Sequence, residues 1–194
     1  MIDKLFGSAL RLKLMKFFVF NPAQVFDVKI IARKVEARLP AVKKEIRILL
    51  AAKLIKVKVY KNEKGRKQKG VILDNNFGHV EALKEFLMKV SPLSETQISD
   101  KLSKAGRLKF ATLSGVFINN PDCRVDLLIV GDKLKKNVLS RVISNFESEL
   151  GSEIKYAFFE TADFEYRRSF GDKLVRDILE YPHKIIIDKL GISE

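Results

Sequence analysis

The sequence predicts an α+β protein of two domains, and three observations support this prediction. Residues 8–53 hold three segments with the apolar spacing of helices, and two strand-like segments follow them. From residue 107 onward, short apolar strands alternate with helices. Residues 1–90 hold 21 Lys and Arg against 8 Asp and Glu, a net charge of +13, whereas residues 91–194 are neutral. We therefore place one domain at 1–90, a helical linker at 91–106 and a second domain at 107–194.

The composition narrows the class of protein. An apolar fraction of 46% is enough for a core, and no segment approaches the roughly 20 apolar residues of a membrane span. The first residues lack the basic, apolar and small-residue regions of a signal peptide. One cysteine, Cys123, excludes an internal disulfide and a cysteine-built zinc site. We expect a cytoplasmic protein without a membrane partner, metal or cofactor.

Three helices are predicted in the first domain. Ser8–Phe20 has Ser8 as N-cap and ends at Asn21-Pro22. Val28–Val35 is followed by a short turn, and the third helix extends from Pro40 to about Lys53. The third helix has an apolar side (Val42, Ile46, Leu49 and Leu50) and a basic side (Lys43, Lys44 and Arg47).

A basic hairpin is predicted after these helices. Leu54–Tyr60 alternates as a strand, Lys61–Gly70 is predicted as a turn, and Val71-Ile72-Leu73 as the returning strand. The turn is rich in basic side chains: Lys61, Lys64, Arg66, Lys67 and Lys69.

Residues 6–73 resemble a winged helix-turn-helix of the prokaryotic regulator type, close to the ArsR-like group. The similarity lies in Phe6–Lys13, Ile30–Lys34 and Glu45–Leu49, with Lys53 where such families usually have glycine. The resemblance implies that the third helix reads the major groove, with Arg47 contacting guanine and Lys43 and Lys44 contacting phosphate or base edges. The hairpin would contact backbone phosphate or an adjacent minor groove, and the second helix flanking phosphate. The expected DNA-binding residues are Lys29, Arg33, Lys34, Ala41, Val42, Lys43, Lys44, Arg47, Lys64, Arg66 and Lys67.

Two further helices, His79–Val90 and Glu95–Lys104, are predicted around the linker, where they are candidates for packing two chains together.

The second domain is predicted to have four strands and two helical regions. The strands are Leu108–Leu113, Val125–Val130, Ile154–Phe159 and Ile185–Ile187, and the helical regions are Leu134–Leu150, capped by Gly151, and Thr161–Glu180, with Thr161 as N-cap and a break near Gly171.

This second domain resembles the minimal nucleotidyltransferase fold of the DNA polymerase β type, through Leu113-Ser114-Gly115 and Arg124–Val130. Active members have Gly-Ser on the turn and Asp-x-Asp on the next strand, which holds the catalytic metal. Here Arg124 replaces the first carboxylate and only Asp126 remains. We therefore expect a degenerate site of Ser114, Gly115, Arg124 and Asp126, with no catalytic residues.

Alternatives remain open for this site. Arg124, Lys109 and Lys155 are candidates to line an anion-binding cavity beside Gly115. Otherwise Asp126 and Arg124 form an ordinary surface ion pair. His79 and His183 are expected to be structural, because neither has a catalytic partner nearby in the sequence, and Cys123 is expected not to be a redox sensor.

The expected function is transcriptional regulation by a homodimer that binds double-stranded DNA, with the second domain as dimer scaffold, partner site or sensor of an unknown effector. RNA is disfavoured, because the basic residues include no aromatic stacking platform. The alternatives are a metal-dependent nucleotidyltransferase acting on nucleotide, RNA or protein, and a scaffold that binds an acidic protein.

Overall fold

A computed structural model gives the architecture and describes residues 5–61, 65–89, 93–120 and 122–192. The fold is mixed α+β, as predicted, with two open sheets. Within the described residues the elements are, in order, α1 (Ala9–Phe20), α2 (Val28–Lys34), α3 (Leu39–Ala51), β1 (Ile55–Lys61), β2 (Lys67–Leu73), α4 (Val80–Lys89), α5 (Glu95–Ser103), β3 (Arg107–Leu113), β4 (Leu127–Asp132), α6 (Lys136–Leu150), β5 (Tyr156–Phe159), α7 (Thr161–Ser169), α8 (Lys173–Glu180) and β6 (Lys184–Asp188).

The chain divides into two compact units. Unit 1 comprises Met1–Pro92 and Ser144–Ser152, and unit 2 comprises Leu93–Ile143 and Glu153–Glu194. The end of α6 is therefore grouped with unit 1, and α5 with unit 2. No helix in the described part of the chain is both long enough and apolar enough to cross a membrane.

The core of unit 1 is built from the apolar stripes of α1, α2 and α3 together with the inner side of the hairpin. Its fully buried side chains include Leu14, Phe18, Ile31, Val42 and Leu73. Ser8 caps α1 as predicted, because its Oγ accepts a hydrogen bond of 3.0 Å from the Arg11 amide. The Ser8 cap therefore fixes where α1 begins. The apolar core fixes which side of α1 is buried.

Both α2 and α3 end in Schellman motifs, each with a non-glycine residue in the left-handed region. Glu36, after α2, has φ +51° and Lys53, after α3, has φ +59°. At the second of these ends, the Lys53 amide donates to Leu50 O over 3.0 Å and the Leu54 amide donates to Leu49 O over 3.1 Å. Lys53 therefore adopts the left-handed conformation for which helix ends usually use glycine.

The hairpin is longer than predicted. Lys61 and Lys67–Gly70, expected to be turn residues, lie in paired antiparallel strands. Phe26 extends this sheet through two backbone hydrogen bonds with Val71, of 3.0 and 2.9 Å. A Cβ at Gly70 would lie 2.7 Å from Val25 Cγ1 and 2.9 Å from Phe26 O, so glycine permits this close approach.

Unit 2 contains a four-stranded mixed sheet in the order β5-β4-β3-β6. β3 pairs antiparallel with both β4 and β6, while β5 runs parallel to β4 at the sheet's edge. One side of the sheet packs on α7 and α8 through a core that includes Phe110, Leu128, Val130, Phe164 and Val175. On β4, side chains alternate between two buried faces, which explains its continuous apolar run.

Several boundaries in unit 2 differ from the sequence prediction. α5 contacts β3 and β6 and buries Ile98 and Leu102, so the expected linker helix is part of this unit's core. Thr161 is the first residue of α7 rather than its N-cap, which is Glu160. The predicted break is confirmed at Gly171, which has φ +67° between α7 and α8. Val90, the predicted end of α4, lies outside the described residues.

Candidate nucleic-acid interface

The outward side of α3 is basic. Lys43, Lys44 and Arg47 are all exposed, together with Ala41. Their spacing of one and four residues places the three cations on one stretch of the helix surface. Val42, expected among the DNA contacts, is instead fully buried at 0% exposure and belongs to the core. That expectation was wrong because position 42 lies four residues before Ile46 on the apolar stripe.

The only acidic residue of α3 is withdrawn from this basic surface. Glu45 is 8% exposed and accepts a 2.8 Å hydrogen bond from Arg11 Nε on α1. Arg11 also donates to Phe6 O over 2.7 Å. The ion pair braces α3 against α1 and leaves the outward side of α3 without an acidic side chain.

The preceding helix contributes a second exposed basic group. Lys29, Arg33 and Lys34 are exposed on α2, as expected for phosphate contacts. The turn that follows is held through Glu36, whose carboxylate accepts hydrogen bonds from Ser144 Oγ over 3.1 Å and Asn145 Nδ2 over 3.3 Å. All of these residues belong to unit 1. Sequence reasoning missed these two contacts, since they join positions more than a hundred residues apart.

The hairpin presents a row of lysines on one face. Lys61 lies directly opposite Lys67, and Lys69 lies opposite Val59, so strand alternation places all four side chains on one side. Like charges directly opposite each other destabilise a sheet, so the Lys61–Lys67 pair is unfavourable in the hairpin by itself. Val57 shares this face and is 54% exposed.

The remaining predicted hairpin contacts are placed as follows. Arg66 and Lys67 are exposed, and Lys64 lies outside the described residues. Lys56, on the opposite face, forms a 2.8 Å ion pair with Asp74. The hydrogen bond from Lys56, with another from the Asn76 amide, lowers the pKa of Asp74. The basic residues of the hairpin were identifiable from the sequence, but more of them lie in the strands than the sequence predicts.

In the predicted degenerate site of unit 2, the polar side chains form hydrogen bonds with nearby backbone groups. Asp126 is 4% exposed; its Oδ1 accepts from the Val116 amide over 3.0 Å and its Oδ2 from the Lys155 amide over 2.7 Å. Ser114 Oγ donates to Val125 O. Gly115, at φ +53°, lies against the Asp126 carboxylate, with no room for a Cβ. The carboxylate therefore joins the loop after β3 to the start of β5.

Arg124 is not paired with Asp126, so the surface ion pair considered from the sequence is wrong. Its guanidinium instead binds Asp177 on α8, with a 2.7 Å contact, and its side chain is 53% exposed. The Lys155 amide, rather than its ammonium, contacts the site, and Lys109 is half-buried on β3. In the described residues no group of three His, Cys, Asp or Glu side chains is arranged to hold a metal ion.

The other residues singled out in the sequence have structural contacts. The ring of His79 lies edge-on to Phe77, with centroids 5.9 Å apart. His183 Nδ1 lies 2.8 Å from Tyr181 O. Cys123 is buried, with its Sγ 3.9 Å from Pro182 O.

Comparisons with protein-family models, with curated proteins and with solved structures gave no match to this chain.

Proposed function

We propose that the chain binds double-stranded DNA through unit 1 and acts as a transcriptional regulator. In this proposal, unit 1 is a winged helix-turn-helix in which α2 and α3 form the helix pair and the β1–β2 hairpin is the wing. α3 enters the major groove, while α2 and the hairpin contact the flanking phosphates.

The single observation that supports this most strongly is the uncompensated basic surface of α3. Three exposed cations occupy its outward side, and its one carboxylate, Glu45, is bonded to Arg11 on the inward side. A solvated helix on an ordinary protein surface mixes charges of both signs. A surface that binds phosphate benefits from one sign only.

A second observation concerns the hairpin. The directly opposed Lys61 and Lys67 carry a cost of repulsion in the free protein that phosphate neutralisation removes. Contacts of this kind position a protein on DNA without reading its sequence. We therefore assign sequence discrimination to Arg47 and general affinity to the hairpin lysines.

We further propose that unit 2 does not transfer nucleotides. Both oxygens of Asp126 accept from backbone amides, and the position of the missing carboxylate holds Arg124, which pairs with Asp177 and offers no metal ligand. Incubation with radiolabelled nucleoside triphosphate and magnesium tests this directly. We expect no labelled product. Label transfer that Asp126→Ala abolishes and Asp177→Asn leaves intact would establish the enzymatic alternative instead.

The proposed DNA-binding function is tested by selecting preferred duplexes from a random pool and measuring their affinity. Arg47→Ala is expected to cost about 1–3 kcal/mol on the preferred site and to blur the preference at the contacted base pair. Lys89→Ala, which removes an exposed cation from α4, serves as the control and should leave the preference unchanged.

Two results would contradict the assignment. Equal loss of affinity on every duplex would make Arg47 a phosphate contact, and absence of duplex binding at low salt would overturn the DNA-binding proposal itself. If the protein works as a homodimer, the selected site will be a palindrome with half-sites about one DNA turn apart.

A further inference from the structure

Two exposed aromatic rings stand side by side on the edge strand of unit 2. Tyr156 and Phe158 lie on the same face of β5, with 40% and 36% of their surfaces exposed. The rings are nearly parallel, at 22°, and their centroids are 6.5 Å apart. β5 is the outermost strand of its sheet, and within the described residues no strand pairs with its free edge.

A cation accompanies the two rings. Lys136, an exposed residue at the start of α6, places its Nζ over the ring of Phe158, 5.7 Å from the ring centroid. All three residues belong to unit 2. The arrangement combines π-faces for planar groups with a positive charge for phosphate, which is the combination used by proteins that bind single-stranded nucleic acid.

We propose that Tyr156, Phe158 and Lys136 form a stacking site for one or two bases of a single-stranded nucleic acid. A base stacks on each ring, and the ammonium of Lys136 moves off the face of Phe158 to bind an adjacent phosphate. This site is separate from the duplex-binding surface proposed for unit 1. A duplex does not fit it, because paired and stacked bases conceal their faces.

A second copy of the chain is the main alternative occupant of this edge. β5 is only four residues long, so pairing of two such edges would form few backbone hydrogen bonds. Symmetric pairing would also bring two copies of Lys136 to the same side of the joined sheet. The cation beside the rings therefore favours a polyanionic strand over a like-charged copy.

The chain offers a matched control in a second exposed aromatic pair. Tyr166 and Phe170 on the α7 side lie 4.5 Å apart and are 62% and 75% exposed. The nearby Arg167 is engaged by Asp163 and Asp172. This pair is more exposed than the β5 pair, but Arg167 is already paired with two carboxylates, so we expect it to attract a nucleic-acid strand less than the β5 pair does.

The test measures binding of labelled single strands of about 12 nucleotides to the full chain. Oligo-dT, oligo-rU and an abasic strand with the same phosphates are compared at about 0.3 M salt, where purely ionic binding is weakened. We expect Tyr156→Ala and Phe158→Ala each to weaken binding of the base-containing strands about tenfold. Tyr166→Ala should have no effect, and Phe158→Trp should retain affinity.

The abasic strand separates stacking from charge. It should bind the unchanged protein about tenfold more weakly and should be insensitive to the Tyr156 and Phe158 substitutions. A preference for oligo-rU over oligo-dT would identify RNA as the source of the strand, and the reverse preference would identify DNA.

Two outcomes would overturn the proposal. In the first, Tyr156→Ala and Tyr166→Ala have equal effects on oligonucleotide binding. In the second, the β5 substitutions leave oligonucleotide affinity unchanged but convert a dimer to a monomer in sedimentation, which would assign this edge to a second copy. Duplex affinity measured on the same proteins is expected to stay constant, so failure here is distinguishable from failure of the unit 1 proposal.

Discussion

Lys53 adopts an unfavourable backbone conformation that the end of α3 requires. Its φ of +59° lies in the left-handed region, which disfavours any side chain with a Cβ. The Schellman hydrogen bonds at the end of α3 require that conformation. Helix capping thus overrides the intrinsic preference of lysine.

We predict that Lys53→Gly stabilises the protein by about 0.5–1 kcal/mol, because glycine adopts positive φ without a steric penalty. Denaturant unfolding gives the change in free energy. Lys53→Ala removes the same charge but keeps a Cβ, so it should leave stability nearly unchanged. Equal stabilisation by both variants would show that charge, and not backbone conformation, is responsible.

Lys16 is a second residue in an unfavourable environment, because its charged form is disfavoured by burial. It is 2% exposed in the core of unit 1. Burial lowers its pKa to about 8, against an ordinary value of 10.5, although attraction to Glu149 acts in the opposite direction. Between these two pH values the unfolded chain binds more protons than the folded protein, so this lysine's contribution to stability rises with pH.

Lys16→Met removes that titration. We predict that the variant is more stable than the wild type near pH 7, and that the difference shrinks by up to about 3 kcal/mol as pH rises from 8 to 10.5. Unfolding measured across this range checks both the sign and the window. A difference that stays constant with pH would contradict the lowered pKa.

At the scale of elements, Asp126 acts as a connector between strands. It joins the loop after β3 to the start of β5 by accepting from two backbone amides. In Asp126→Asn one oxygen becomes an amide donor that faces a backbone donor, so a buried amide loses its partner. We predict a loss of about 1–3 kcal/mol in the stability of unit 2.

Asp177→Asn is the matched control for that substitution. The Arg124 side chain is 53% exposed and that of Asp177 is 15% exposed, so solvent reaches the pair from one side. Ion pairs open to solvent contribute about 0–1 kcal/mol. Thermal unfolding of the two variants compares a buried connector with a surface pair. If both lost the same stability, Asp126 would not have the connecting role described above.

The order of elements followed from local patterns, and the exceptions have physical causes. α1, α3 and α6 were predictable because apolar spacing and capping residues lie within each segment. β2 was underestimated because its lysines and Gly70 look like a turn, whereas pairing with β1 and Phe26 makes it a strand. The role of Asp126 was missed because its partners, at residues 116 and 155, are distant in sequence.

The candidate sites show the same limit. The basic side of α3 was predictable from helical spacing. Val42, which the family resemblance placed among the DNA contacts, is instead buried in the core. The paired rings of Tyr156 and Phe158 were missed because their exposure depends on β5 being an edge strand. An i, i+2 aromatic pair on a predicted strand was the available signal.

For the whole molecule, the distribution of charge is the central feature. The net charge of +13 lies in residues 1–90, while residues 91–194 are neutral. If this asymmetry serves DNA binding, cations on the two parts will contribute unequally to duplex affinity. Each phosphate contact that is lost reduces the salt dependence by about 0.9 in the slope of log K against log salt concentration.

The most direct test is that slope, measured on one duplex for two charge-matched triple variants. One replaces Lys43, Lys44 and Arg47 on α3 with alanine, and the other replaces Lys104, Lys173 and Lys189, which are exposed in unit 2. We predict a clearly shallower slope for the α3 variant and an unchanged slope for the unit 2 variant. Equal slopes for both variants would contradict a DNA-binding surface on α3.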